Sequence, residues 1–457
     1  MKKDDELQRD DSLMIVGLKP YQDYRTSEHS WLGLLPAHWG QLRAKCLFRE
    51  VDEHSVTGSE ELLSVSHLTG VTPRNQKSVT MFLAKSNIGH KICRPGDAVI
   101  NTMWAWMGAL GVSRYRGLVS PAYGVYRPIA GCGILSGYVD QLLRTPVYVA
   151  EYQRRSTGVN SSRLRLYPEY FLKIPVVVPP LDEQAAIVLF LDWMNGRLER
   201  AIRGKRKKLA LVSEVLLTVT EQALRLPGTR NLRISTVAEV VSRPIDRHAG
   251  QSYTPIGLYN RGRGIFHKAT TDGAELGDSD FFWIENGDLI ISGQFAWEGA
   301  VALARAKDSG CIASHRYPIL RGRGEYAPSS VLMALFRTSY GSMLLDHHSR
   351  GAAGRNRPLN IGMLLKEKLP IPPLSAQARI TELLDQEHAV AQSLAQTIRF
   401  INEYRIRLAS DVVTGKLDVR EAAVKLPDLP KDDKPSQDAD ALYNEPLEEL
   451  ETEESYD

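Results

Sequence analysis

The chain has 457 residues, 43% of them apolar and 24% charged, with a mean hydropathy of −0.25. That is room for about three ordinary domains with real cores, and no stretch approaches the ~18 uncharged apolar residues of a membrane-spanning helix. The net charge of +3 hides an asymmetry, because residues Lys431–Asp457 hold eleven acidic and two basic side chains, a net of −9, which leaves +12 for the rest. A basic body with an acidic tail suits a polyanionic partner, and a tail so acidic and so poor in aromatics is expected to be disordered. The opening residues alternate charge signs without an apolar run, so no signal peptide is expected and the protein is expected in the cytoplasm. Cys46, Cys93, Cys132 and Cys311 are isolated and read as buried structural residues. The adjacent His347 and His348 have no second ligand pair, so no metal site is expected.

The elements occur twice, in the same order. In the first copy a Trp/Pro-rich opening precedes a strand at Ala98–Asn101, announced by the turn Gly96-Asp97. A Gly-rich loop, an extended stretch from Tyr123 and an amphipathic helix from Val139 follow. A polar, Arg-rich loop then leads to Pro179–Pro180 and a long helix. In the second copy Gly287, Asp288, Ala296, Trp297 and Gly299 repeat Gly96, Asp97, Ala105, Trp106 and Gly108 at an offset of 191. The segment after Ser156 returns after Ser349, and the Pro-Pro pair returns at Pro372–Pro373, at an offset of 193. Blocks in one order at nearly constant offset mean two halves of one architecture. Mixed strands and helices in each half indicate an α/β or α+β globular domain.

The long helices start at Pro-Pro-Leu, with Asp182 and Ser375 placed to act as N-caps. In the first, Ile187, Leu191, Met194 and Leu198 recur in alternating steps of four and three. In the second, Ile380, Leu384, Leu394, Ile398, Ile401 and Leu408 fall on one such seam, together with Glu387 and Arg405. A 3.5-residue period kept in two copies argues that the helices pair with each other as a coiled coil. The basic run Lys205–Lys208 reads most simply as a solvated face.

The chain contains no phosphate-binding G-x-x-x-x-G-K-[ST] loop, no Asn/Asp-Pro-Pro-Tyr/Phe turn of amino-methyltransferases and no nuclease or hydrolase motif. It reads as a binder without catalysis of its own. The Arg-rich loops are the first candidates for contact with a polyanionic partner such as a nucleic acid: Arg154, Arg155, Asn160, Arg163 and Arg165 in one copy, Arg350, Arg355, Asn356 and Arg357 in the other. Arginine can fork onto guanine and asparagine onto adenine, and both serve phosphates. The loops after the Gly-Asp strands, with Asn101 and Gln294, are the second. Trp106 and Trp297 in those loops read as core, since they follow the repeat, and Arg243 and Arg247 add positive charge to the second half.

Two variable halves, each closing in Pro-Pro-Leu-x-x-Gln, resemble the DNA-specificity subunit of type I restriction–modification systems. The opening from Gly17, the helix start Pro179–Asp192 and the segment Val413–Ala422 carry the resemblance, which spans roughly residues 17–423. Ser375-Ala376 departs from the family's acidic pair before Gln377, and the acidic tail lies outside the pattern. The resemblance implies two target-recognition domains at 21–180 and 227–373, spacer helices at 181–226 and 374–414 forming an antiparallel coiled coil, a tail at 1–20 and a closing segment at 415–457, with a pseudo-twofold internal repeat. It implies a non-catalytic subunit that reads a bipartite site on double-stranded DNA and scaffolds two methyltransferase subunits and restriction/translocase subunits. S-adenosylmethionine, ATP and magnesium would then belong to those partners and none to this chain. The competing reading is a coiled-coil protein-interaction adaptor without DNA specificity.

Overall fold

A computed structural model describes residues 18–67, 69–76, 86–158, 164–351 and 357–427. The acidic tail, Asn160, Arg163, Arg355 and Asn356 lie outside the described residues. The chain divides into two compact units, one holding the residues up to Arg203 together with those from Thr397 onward, the other running from Gly204 to Gln396. The long helices, Leu181–Ala223 and Leu374–Val413, each belong in part to both units.

Each unit is built on the same four-stranded antiparallel sheet. In the first unit the order across the sheet is Phe48–Glu50, Gly124–Pro128, Ala98–Ile100, Leu110–Val112. In the second it is Ala238–Val240, Ile319–Gly322, Leu289–Ile291, Val301–Leu303. The central strands Ala98–Ile100 and Leu289–Ile291 are wholly buried, which is why they read as unbroken apolar runs rather than alternating ones. A second ribbon closes each unit: Gly40–Arg43 pairs with Pro175–Val178, and Arg230–Arg233 pairs with Lys368–Ile371, each just before a long helix begins.

The amphipathic segment after the sheet is two helices in each copy, not one. Ser136–Leu143 breaks before Pro146–Arg155, where the proline takes the first helical position, which needs no N–H. Ser329–Arg337 breaks before Ser339–His347, where the Thr338 side chain accepts from the Gly341 amide at 3.2 Å and caps the new helix. Of the four cysteines, Cys93 and Cys311 are buried, but Cys132 is only half-buried and Cys46 is exposed. Cys46 lies on the four-residue helix Ala44–Leu47, which turns Ala44 and Leu47 inward and leaves the residues between them outside.

The long helices run antiparallel within each unit. In the second unit the Lys205 ammonium donates to Ser393 Oγ at 3.2 Å, and Ser213 donates to Glu387. In the first, Arg405 donates to Glu199 Oε1 at 3.0 Å and to the Asn195 carbonyl at 3.2 Å. Along the predicted seam Ile187, Leu191, Met194, Leu198 and Leu408 are buried in the first unit, and Ile380, Leu384 and Leu394 in the second. Ile398 and Ile401 are half-buried. The apolar seam is also part of each domain core. Ile187, Phe190, Leu191 and Met194 cluster with Tyr138, Val176 and Leu408, and Ile380, Leu383 and Leu384 cluster with Leu216, Leu289 and Val331.

Neither Asp182 nor Ser375 is a helix cap. The helices begin one residue earlier, at Leu181 and Leu374, and both polar residues are exposed in the first turn. The prolines stand at the N-cap positions, where their carbonyls accept the first intrahelical bonds: Pro180 from the Gln184 amide at 2.9 Å, and Pro373 from the Gln377 amide at 3.2 Å. Truncating Ile380 to alanine should cost about 2–5 kcal/mol of stability in urea unfolding, as for other fully buried large aliphatics. Truncating Ile406, which faces solvent on the same helix, should cost less than about 0.5 kcal/mol.

Glu387 puts a charge on the seam. Burial works to raise its carboxyl, but two bonds from Arg337, at 2.5 and 2.8 Å, outweigh burial and hold it below the usual carboxylate value. A depressed carboxylate contributes stability above its unfolded value, near ~4.3, and loses it as pH falls further. The variant Glu387→Gln should therefore be less stable than the parent at neutral pH. The gap should close when unfolding is followed down through pH 4 to 3.

A candidate nucleic-acid surface in each unit

The Gly-Asp turn is structural in both copies. Asp97 is buried; its carboxylate accepts from the Arg94 amide at 2.9 Å and from Arg127 Nε and Nη2 at 2.9 and 2.8 Å. Asp288 is fully buried and accepts from the Glu285 amide at 2.9 Å, from Arg321 Nε at 3.0 Å and from Arg243 Nη1 at 2.8 Å. Arg243 is thus occupied inside the fold rather than adding free positive charge. Arg247 is exposed, and bonds to the carbonyls of Leu276, Gly277 and Ser279 at 2.8–3.0 Å orient it while leaving its charge in place.

The strand then turns back through a short 3-10 helix, Ala105–Met107 or Ala296–Glu298, closed by Gly108 or Gly299 at φ of +87° and +75°. Only glycine adopts that left-handed backbone freely. Asn101 is buried in this turn: its Nδ2 donates to the Tyr123 hydroxyl at 3.0 Å and its Oδ1 accepts from the Met103 amide at 3.3 Å. It shapes the loop instead of facing outward. Its counterpart Ser292 does the same through Oγ, accepting from the Phe295 amide at 3.1 Å, and leaves Gln294 half-buried. Trp106 is half-buried, its indole N–H donating to the Met103 carbonyl at 2.9 Å.

The two candidate loops of each copy form one surface. In the first unit the Leu166 amide, at the end of the Arg-rich loop, donates to the Thr102 carbonyl at 2.9 Å. In the second the Leu359 amide donates to the Gly293 carbonyl at 2.7 Å. Each Arg-rich loop is pinched at its base by a bridge, Thr157 with Arg165 and Ser349 with Leu359. Arg165 is exposed and reaches Met103 Sδ at 3.9 Å. Arg357 lies over the Trp297 ring at 4.7 Å and donates to Asp346 at 3.1 Å. Arg350 donates to the His347 carbonyl at 3.1 Å, beside an open cleft lined by His347, Pro358 and Met363.

Arg154 and Arg155 share one buried carboxylate. Glu151 accepts from Arg154 at 2.7 and 2.8 Å and from Arg155 at 2.5 Å. Burial alone would raise the Glu151 carboxyl, yet the two guanidiniums hold it down. Two cations on one anion leave a net positive site, and the Arg154 side chain is 65% exposed. Three residues that sequence reasoning passed over, Trp104, Met107 and Tyr167, stand exposed on this surface of the first unit. None follows the repeat, and repeat position was the criterion that drew attention to Trp106 instead. Among the described residues there is no metal-binding cluster, and no helix is long and apolar enough to cross a membrane.

No protein-family profile matches this sequence, and comparison with curated proteins gives no match. Solved structures do match. A chain from a type I R-M system, solved in work on that system's complex assembly and conformational transition, aligns with a TM-score of 0.51 at 17% identity, over 83% of this chain and 98% of that one. The HsdS subunit from Thermoanaerobacter tengcongensis aligns at 0.38 with 17% identity, over 83% and 96% of the two chains. The type I restriction–modification S subunit from M. genitalium aligns at 0.36 with 10% identity, over 86% and 97%. The fold of this chain is that of the first of these.

Asp97 and Asp288 are buried and bind a backbone amide as well as half-buried arginines, so replacing either by alanine leaves that amide unpaired and loosens the arginines. Each variant should lose about 1–3 kcal/mol in chemical unfolding, whether or not DNA is present.

Proposed function

We propose that the chain is the non-catalytic, sequence-specific DNA-binding subunit of a type I restriction–modification system. It reads a bipartite target on double-stranded DNA and scaffolds two methyltransferase subunits and restriction/translocase subunits. The observation that carries this reading is the doubled surface: the same scaffold, twice in one chain, presents an arginine-bearing loop against a Gly-Asp loop, with different residues at matching positions. Unlike readers on like scaffolds suit a split, asymmetric site, as symmetric dimers suit symmetric half-sites. The +12 balance outside the acidic tail supplies the phosphate attraction. The fold shared with a type I R-M chain agrees with this role.

On this reading the methyl donor, ATP and magnesium are handled by the partner subunits, in the cytoplasm. Arg154, Arg155, Arg165, Arg350 and Arg357, with Gln294 and the loop residues Asn160, Arg163, Arg355 and Asn356, form the DNA side.

The purified chain should shift duplex DNA in a gel, with an affinity that falls steeply as salt rises. An adaptor without DNA specificity would show no such shift. Replacing residues 42–170 by the matching segment of another such subunit should change one half of the methylated motif in cells, read by modification-sensitive sequencing, and leave the other half intact. Base edges are read locally in the grooves. A change in both halves would sink the two-reader mechanism.

A further inference from the structure

Trp104 stands 48% exposed on a backbone that is held on every side. Its amide donates to the Asn101 carbonyl at 3.0 Å, and its carbonyl accepts from the Met107 and Ala109 amides at 3.0 and 3.1 Å. The turn is further locked by Asn101 on Tyr123 and by Gly108, where an added Cβ would lie 3.1 Å from Val149 of the helix beneath. The same loop and the segment bonded to it carry more exposed apolar groups. Met107 is 39% exposed, and Tyr167 is 42% exposed and follows the residue that bonds to Thr102. A cluster of large apolar side chains fixed in solvent marks a contact surface.

The polar surroundings say what kind of contact. Arg165 touches Met103 in the same loop, and Arg154 and Arg155 end the helix on which the loop packs. The carboxylate beside them, Glu151, is already covered by two guanidiniums. An exposed aromatic ring on a loop whose neighbouring segments carry arginines fits a partner with flat π-faces and a polyanionic backbone. Among the described residues of the second unit the matching positions differ. Phe295, at the position of Trp104, is half-buried, and Met107 is replaced by Glu298, whose carboxylate takes the Asn260 amide.

We infer that Trp104 stacks on a base that its half-site exposes by local unstacking, so that the first unit distorts its DNA and the second does not. This rests on the DNA-reading role proposed above. The ring acts as a wedge and platform, with Met107 and Tyr167 shielding it from water and Arg154 and Arg165 holding the flanking phosphates. An inserted apolar side chain loses base stacking locally and gains contact with the deformed strand.

The test uses the full chain and a duplex that it selects from a random-sequence pool, with 2-aminopurine placed in either half. Binding should raise the fluorescence of a probe next to the exposed base, which loses its stacking neighbour, in one half only. Trp104→Ala should abolish that rise and weaken binding at least about tenfold. The slope of affinity against salt should stay unchanged, since no charge is lost. Trp104→Phe should retain both signals, whereas Trp104→Leu, which fills the space without a stacking ring, should lose them. Phe400→Ala removes an equally exposed aromatic from a long helix and should leave affinity unchanged.

Wild-type affinity and fluorescence in Trp104→Ala would overturn the inference, as would equal losses in Phe400→Ala. So would intact duplex binding by Trp104→Ala with loss of methyltransferase assembly, which would assign the patch to a protein partner. If the wild-type chain selects no duplex at all, the DNA-reading role itself fails and the inference falls with it. Should Trp104→Ala melt early, the comparison of Trp104→Phe with Trp104→Leu decides.

Discussion

A buried glutamine fastens the start of each long helix to its globular unit, and the junction of helix and ribbon depends on it. A helix start preceded by two prolines has backbone groups to satisfy and little local chemistry with which to do it. Gln184 donates to the carbonyls of Pro179 and Gly133 at 2.8 and 2.9 Å and accepts from the Leu135 amide at 2.7 Å. One side chain thereby ties the end of the ribbon, the helix start and the cap of the helix Ser136–Leu143. Gln377 repeats the first two bonds, to Pro372 at 2.9 Å and to Tyr326 at 2.8 Å. It lacks the third because Pro328 stands where Leu135 does, and its Oε1 is left buried without a partner. The repeated Pro-Pro-Leu-x-x-Gln is thus a weld between helix and domain.

The residues where the copies differ show what each helix start has to bind. Glu183 is buried and accepts from the Trp39 indole at 2.8 Å, from the Tyr21 hydroxyl and Arg420 at 3.2 Å, and meets His38 at 2.5 Å. These partners come from the first described residues and from the segment after the second long helix, which are further joined by Tyr24 bonding to the Gly415 carbonyl at 3.1 Å. In the second unit no such segments arrive, and Ala376 at the matching position packs against the core. The missing acidic residue therefore reflects a missing cluster, and a carboxylate buried there would have nothing to pair with.

The repeat, the strands at Ala98 and Leu289 and both long helices were legible because each is a local period or a motif copied at fixed offset. The end of the seam was less so: Ile398 and Ile401 are only half-buried, since burial depends on what packs across the helix pair and not on spacing alone. The fate of the arginines was partly legible. Glu151 lies three and four residues before Arg154 and Arg155, a helical ion-pair spacing visible in the chain. Arg243 meeting Asp288 across 45 residues had no local signal. Trp104 was hidden by proximity, since the repeated Trp106 two residues on drew the attention that repetition deserves in a core.

That last contrast separates scaffold from reader. What the two copies share is buried and hydrogen-bonded: the Gly-Asp carboxylates, the glycine that closes the loop, the glutamine at the helix start. On the loop surface the copies differ: exposed Trp104 stands against half-buried Phe295, exposed Met107 against half-buried Glu298, and the Arg165 contact with Met103 against the stacking of Arg357 on Trp297. A protein selected only for stability has no reason to hold a tryptophan rigidly in solvent on one copy and to dispense with it on the other. On the proposed DNA-reading role, like scaffolds with unlike surface groups are what a split, asymmetric target requires, because unlike groups meet different bases.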